Sequence, residues 1–301
     1  MSFASDVKTE LCRINVSAKC CALSECYGIL LFCNTFSNNG VKIITESRPL
    51  AKRLPKLFMR AFGVAFDTIT GDDESNSKRV MTITAVESIN RILEVYGYEP
   101  DGIFAHHINF GILEEDCCRQ SFLRGAFFAG GSITDPQKTY HLELVTDHYS
   151  VSREALSLLL DMGFEPKSVA RAGNFITYFK SSEAIEDFLT TIGAPIAAME
   201  IMSTKIMKDM TNSVNRRVNC DTANVTKTVD AAQEQLEAIR SIDASGILLL
   251  IPERLRETAK LRTENPELSL SQLAAIADPP VTKSCLNHRL KKLIEIAKRE
   301  T

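Results

Sequence analysis

The sequence predicts an α+β protein: two pseudo-symmetric repeats of αββαβ type, followed by an all-α domain with a helix-turn-helix pattern. Three observations predict it. A helix with a small-residue face, Phe122 to Gly131, leads straight into a strand and has an ungapped echo 97 positions earlier. Helical and alternating segments then follow both copies in the same order. Finally, residues 247–301 hold three short helical segments broken at Asn265-Pro266 and Asp278-Pro279-Pro280.

The first of these fixes the centre of the chain. Glycine costs about 1 kcal/mol relative to alanine inside a helix. Gly125, with Ala126 and Ala129 nearby, therefore predicts a surface thinned for close approach of another backbone. The partner is the echo, because Cys117-Cys118, Gly125, Gly130 and Gly131 align with Cys20-Cys21, Gly28, Cys33 and Asn34. Downstream, the Val41–Thr45 strand matches Tyr140–Thr146, and the Leu50–Gly63 helix matches Ser152–Gly163. The Lys78–Ala85 strand matches Phe175–Lys180, and the Glu87–Gly97 helix matches Ser182–Gly193. Each half thus reads helix, strand, helix, one or two strands, helix.

The expected organisation is a repeat domain over 1–212 (repeats at about 15–110 and 112–212), a linker and helical arm over 213–246, and the all-α domain over 247–301. In the first region Ser5 is the expected cap of an N-terminal helix. Glu74 to Ser77 after Gly71-Asp-Asp reads as a polar hairpin-type loop, and Pro100-Asp-Gly-Ile as the turn closing the first half. Met199, Met202, Ile206 and Met210 space a helix from Ala198 to Met210 that closes the repeat domain. Asn212 to Asn224 is polar and without apolar period, hence the boundary, and Arg216-Arg217 within it face phosphate or water. Asp221 or Thr222 then caps a second helix with Val225, Val229, Ala232, Leu236 and Ile239 on one face.

The chain's 301 residues are 45% apolar, lack tryptophan and carry a net charge of −3. The charge is uneven: residues 212–301 hold 14 Lys+Arg against 12 Asp+Glu, and the rest 21 against 26. Such a balance leaves nucleic-acid binding open wherever basic residues cluster on one face. Nine cysteines with no secretory segment ahead of them predict free thiols in a reducing, cytoplasmic setting. No apolar run approaches the length of a membrane span, so no membrane partner is expected.

The two vicinal cysteine pairs raise a metal reading. Adjacent helical residues diverge by about 100°, unlike the spaced pairs of structural zinc sites, so each pair is expected to pack the helix interface as small apolar residues. His106-His107 read as surface or strand-edge residues, and Asp147-His148-Tyr149 as a turn before a helix capped by Ser150 or Ser152. No cofactor and no catalytic residue is expected.

Leu123-Arg-Gly-Ala-Phe-Phe-Ala-Gly-Gly131 resembles the LAGLIDADG signature of the homing-endonuclease fold, with Cys26 to Asn34 as the first copy. The resemblance implies two halves packing their signature helices and holding curved sheets over DNA. In that family the penultimate signature residue is an acid that binds the catalytic divalent metal. Here those positions are Cys33 and Gly130, and neither supplies the hard oxygen ligands such a metal needs. Asp135 lies too far past Gly131 to substitute, and Glu25 lies too early.

In the last domain Pro252 opens a helix with Leu255, Ala259 and Leu261 inward, Ser269 caps a short one with Leu273 and Ile276 inward, and Thr282 caps a third. Leu286, Leu290, Leu293, Ile294 and Ala297 make the third helix's apolar stripe. Lys283, Arg289, Lys291, Lys292, Lys298 and Arg299 oppose only Glu295 along it, and Ser284, Asn287, His288, Lys291 and Lys292 point away from the stripe. Asn and Arg/Lys pair bidentately with base edges, so a helix-turn-helix reading double-stranded DNA through Lys283, Ser284, Asn287, His288, Arg289, Lys291 and Lys292 is the expectation.

Taken together, the chain resembles the WhiA family of DNA-binding transcriptional regulators linked to sporulation or cell division. The resemblance rests on Met1-Ser-Phe-Ala-Ser-Asp-Val-Lys8, Lys19-Cys-Cys21, Asn215 to Asn224, Asp278 to Ser284 and Asn287-His-Arg-Leu290. It implies a nucleoid-associated regulator without nuclease activity, with transcription machinery or a co-regulator protein as a further partner. The rival readings are an active homing endonuclease and a partner-binding scaffold without DNA readout.

Overall fold

The computed structural model describes residues 2–71, 78–99 and 104–299. The chain forms two compact units, Met1–Lys208 and Asp209–Thr301. In the first, α1 (Phe3–Leu11) precedes a half built of α2 (Lys19–Phe32), β1 (Thr35–Ser37), β2 (Gly40–Thr45), α3 (Arg48–Phe62), β3 (Thr68–Thr70), β4 (Arg79–Ile83) and α4 (Val86–Tyr96). The second half repeats it as α5 (Asp116–Gly130), β5 (Gly131–Ile133), β6 (Leu142–Thr146), α6 (Tyr149–Asp161), β7 (Lys167–Arg171), β8 (Asn174–Phe179) and α7 (Ser182–Ile192). Both four-stranded sheets are antiparallel and share one order, β1-β2-β4-β3 and β5-β6-β8-β7. The α+β class and the twofold repeat are therefore as the sequence predicts.

Alternation selects the buried face of each sheet: Arg79, Met81 and Ile83 in β4 and Leu142, Leu144 and Thr146 in β6 point inward. The elements missed in sequence are short or exposed. β1 and β3 have three residues each, and every residue of β7 is exposed, so no period marks them, whereas β5 is the strand expected straight after the second signature helix. The repeats extend to helix ends, where Gly97 (φ 79°) and Gly193 (φ 98°) close α4 and α7 in the left-handed conformation that favours glycine.

At the centre, α2 and α5 meet backbone to backbone. A Cβ on Gly28 would overlap the Phe122 carbonyl oxygen and lie 2.7 Å from the Ala126 nitrogen; one on Gly125 would overlap the Glu25 carbonyl oxygen and lie 3.0 Å from the Ile29 nitrogen. Beside this contact Glu25 is fully buried between two guanidinium groups, Arg53 (Nε to Oε1 2.6 Å) and Arg124 (Nε to Oε2 2.9 Å). Arg53 also donates to the Cys12 and Ile14 carbonyls and Arg124 to the Ile192 carbonyl, so the network joins α1, α2, α3, α5 and the end of α7.

Several local expectations need correction. Ser2, not Ser5, caps α1: the Ser5 amide donates to the Ser2 hydroxyl. His148 occupies the cap position of α6, ahead of both Ser150 and Ser152, and its amide donates to the Thr146 hydroxyl. Asn212 to Asn224 is not a break, and Asp221 and Thr222 cap nothing. One helix, α8, runs unbroken over Pro195–Ala244. Residues 211–230 of α8 are all exposed, Val214, Val218, Val225 and Val229 included, and the polar residues between these valines made the first half of the stretch read as a boundary. Met199, Met202, Ile206 and Met210 are exposed as well, and the small Ala197 and Ala198 with Ile201 make the packed face instead. The loop at Glu74–Ser77 and the turn at Pro100 lie outside the described residues.

Candidate nucleic-acid interface

The second unit closes around the end of α8 and three helices, α9 (Glu253–Glu264), α10 (Leu270–Ile276) and α11 (Lys283–Arg299). Its core joins Ile239 and Ile242 of α8 to Leu255, Ala259, Leu273, Leu286, Leu290, Leu293 and Ala297. Ile276 is exposed rather than inward, because α10 ends there and the chain turns toward α11; Leu261 and Ile294 are half-buried.

Capping fixes where each helix of the pair begins. Ser269 and Gln272 form a reciprocal capping box at α10, and the Cys285 amide donates to the Thr282 hydroxyl at the start of α11. Between the two helices the Val281 amide donates to the Ala274 carbonyl at 3.1 Å, pinning the turn. Arg262, 1% exposed, donates to the Leu268 carbonyl at 2.6 Å and holds the α9–α10 connection.

This scaffold presents one side of α11. Lys283, Ser284, His288, Lys291 and Lys292 are exposed, and Asn287 and Arg289 are half-buried at the edge of the apolar stripe. The first turn carries no acid, so the positive end of the helix and its lysine face outward together. Among the basic residues of this helix, Lys298 pairs with Glu234 at 3.3 Å. Arg216 and Arg217 are exposed on a separate element, the mid-portion of α8.

The signature-helix ends in the first unit differ from each other. At Gly130 a Cβ would overlap the Val145 carbonyl oxygen and stand 2.9 Å from the Phe32 ring, so the position admits no side chain without backbone movement. At Cys33 the thiol donates to the Leu30 and Thr35 carbonyls, and burial pushes it up to about 12, which keeps it a neutral thiol. Lys8 lies close by, donating from Nζ to the Phe128 carbonyl at 3.1 Å, and burial lowers its pKa to about 8. Glu25 is consumed by its two arginines, and Asp135 accepts from the Gln137 amide in an exposed turn.

The vicinal cysteines depart most from expectation. The sulfurs of Cys20, Cys21, Cys117 and Cys118 all lie within 4.8 Å of one another. Divergence on a single helix does not keep the pairs apart, because the repeat axis brings the first turns of two helices face to face. Nor do the pairs behave as interface packing: Cys20 and Cys117 are exposed, Cys21 is half-buried and only Cys118 is buried. Of the histidines, His106 is half-buried, stacks on His148 at 3.5 Å between ring centroids and meets the Phe36 carbonyl at 2.8 Å. His107 is exposed, and His148 pairs with Asp147 at 3.1 Å.

A LAGLIDADG-like repeat unit whose two signature ends lack an acid, followed by a helix-turn-helix unit, is the class of protein that fold and site define. Family models match both parts: the WhiA LAGLIDADG-like domain over residues 119–211 and the WhiA C-terminal HTH domain over residues 214–297. "Probable cell division protein WhiA" of Ruminiclostridium cellulolyticum is 40% identical over 99% of this chain and 98% of its own length. The protein of the same description from Staphylococcus haemolyticus is 39% identical over 99% of this chain and 96% of its own. The crystal structure of full-length DUF199/WhiA from Thermatoga maritima superposes with a TM-score of 0.61 at 26% identity, covering 99% of both chains. The chain belongs to the WhiA family. Among the described residues no helix is long and apolar enough to cross a membrane.

Proposed function

We propose that this protein is a sequence-specific, double-stranded-DNA-binding transcriptional regulator of the cell-division or sporulation type, acting at the nucleoid, and that it does not cleave DNA. The observation that carries the reading is the outward side of α11. There Lys283, Ser284, His288, Lys291 and Lys292 stand exposed on a helix held by the Ser269 and Thr282 caps. Asn287 and Arg289 sit at its edge, as residues that reach base edges from a groove would. Arg216 and Arg217 supply further phosphate contacts in this reading, and a co-regulator or the transcription machinery is the further partner. The absence of cleavage rests on Cys33 and Gly130, which bring no oxygen ligand to either signature end.

The test separates base reading from phosphate contact. Asn287→Ala is expected to cost about 1–3 kcal/mol on the cognate site and little on random DNA. Lys291→Ala and Lys292→Ala are expected to weaken both alike and to shallow the log K against log salt slope by about one unit per lost contact. A protein ending at Ile242 that keeps full affinity and specificity would remove α11 as the reader. Nicking of plasmid with Mg²⁺ or Mn²⁺ that vanishes on Asp135→Asn would refute the non-cleaving part.

A further inference from the structure

The four sulfurs at the start of α2 and α5 are the densest set of metal-binding atoms among the described residues, and the interface just described does not use them. We infer that Cys20, Cys21, Cys117 and Cys118 form a mononuclear zinc site that clips the two halves of the repeat unit together at the mouth of their helix pair.

The geometry fits one ion. Within each vicinal pair the sulfurs are 4.0 Å apart, and no two of the four are more than 4.8 Å apart. A tetrahedral ion with metal–sulfur bonds of about 2.3 Å sets its sulfurs roughly 3.8 Å from each other, so shifts of a few tenths of an ångström to about one ångström complete the shell. A disulfide would need a bond of about 2.05 Å, and the sulfurs of each pair stand well outside it. An iron–sulfur cluster holds its thiolates around several metal and sulfide atoms, wider than this group allows. Four soft thiolates in a tetrahedron select zinc over the hard cations that the signature ends of nucleases hold.

The surroundings suit the charge such a site carries. Binding releases four thiol protons and leaves a zinc–tetrathiolate dianion. All four ligands occupy the first turns of helices of 14 and 15 residues, so the positive ends of both dipoles converge on it. Neither helix spends those first-turn amides on a capping side chain, since none accepts at Ala18 or Glu115. Buried Ser24 and Ser121, again 97 positions apart, stand one turn further along the two helices; Ser24 donates to the Ile112 carbonyl and Ser121 accepts from Arg124. Cys20 and Cys117 open to solvent and give the ion its entry path.

The full-length protein, purified under reducing conditions without chelator, is expected to carry one zinc per chain by elemental mass spectrometry. After exchange it is expected to give the intense red-region bands and sulfur charge transfer of tetrahedral cobalt(II) thiolate. Alkylation mapped by mass spectrometry reads the site without any substitution: zinc is expected to protect Cys20, Cys21, Cys117 and Cys118 while Cys220 and Cys285 react, and chelation to expose the outer pair. The double variant Cys20→Ser/Cys117→Ser, at exposed positions that leave the packing in place, is expected to lose the ion, whereas Cys220→Ser/Cys285→Ser keeps it. A parent protein that takes up neither zinc nor cobalt, one that holds iron instead, or zinc that persists in the Cys20/Cys117 variant would each overturn the assignment.

Discussion

Replacing Gly125 by alanine adds one methyl group, and the two ways the helices can stand predict opposite signs for its effect. On an open helix face the change is stabilising by about 1 kcal/mol, the propensity difference between the residues. In the structure the new carbon would overlap the carbonyl oxygen of Glu25 and lie 3.0 Å from its carbonyl carbon and from the Ile29 amide. These are backbone atoms of α2, so no rotamer relieves the clash and the helices must separate. Overpacking costs about 1–3 kcal/mol where side chains can give, and separating two helices also forfeits a quarter to a half of each dispersion well for a gap of 0.5–1 Å. We therefore expect a net loss of about 3 kcal/mol or more. Gly28→Ala, which meets Phe122 and Ala126 in the same way, is expected to match it. The two together should cost less than their sum, because a separation forced by one makes room for the other. Urea unfolding of the full chain followed by far-UV circular dichroism reads the shift in midpoint at unchanged slope. A raised midpoint for either single variant would refute the close crossing.

Other consequences follow from neighbouring residues. Glu25→Ala should destabilise the repeat unit by about 3–5 kcal/mol, because it strands Arg53 and Arg124 in the interior; a midpoint within error of the parent would show that the network contributes nothing. Gly130→Asp should lower the melting temperature and yield no Mg²⁺-dependent nicking, since its Cβ has nowhere to go beside Val145 and Phe32; a stable, cleaving variant would contradict this. His106 is held below its ordinary value of 6.5 by burial and then by the neighbouring His148, so the folded state favours the neutral ring. The stability this gives is present above pH 6.5 and is lost as pH falls through the lower folded value. His106→Gln should accordingly flatten the loss of melting temperature between about pH 7 and 5, and an unchanged slope would remove His106 as its source.

What was legible in the sequence is what repeats and, in the last domain, what caps. The 97-residue offset places Gly28 and Gly125 together, and a helical glycine with small neighbours has few explanations besides close approach. Ser269, Thr282 and the prolines at 279 and 280 announce the last helices because each acts on its own nearest turn. The unbroken α8 was hidden for the opposite reason: residues 211–230 bury nothing, and their few apolar residues, Val214, Val218, Val225 and Val229 among them, stand in a run of Asn, Arg and Thr that reads as a boundary. The Glu25 network was hidden because its partners lie 28 and 99 residues away, on elements whose meeting is a property of the whole fold.

The cysteines were misread by an argument sound for one helix and wrong for two. Successive helical side chains do diverge, so a vicinal pair cannot alone surround an ion. A pseudo-twofold axis changes the question, because each pair then needs only to straddle the axis for its mate to complete the ring. The same offset pairs Ser24 with Ser121, so the buried serines one turn on are doubled along with the thiols. The signature ends show the converse. Position 33 keeps a neutral thiol and position 130 has no room for a Cβ, so the symmetry that places them side by side has not kept them chemically alike. Symmetry is retained where the halves touch through backbone and thiol, at Gly28 with Gly125 and at the four cysteines, and lost where a nuclease would need matched acids.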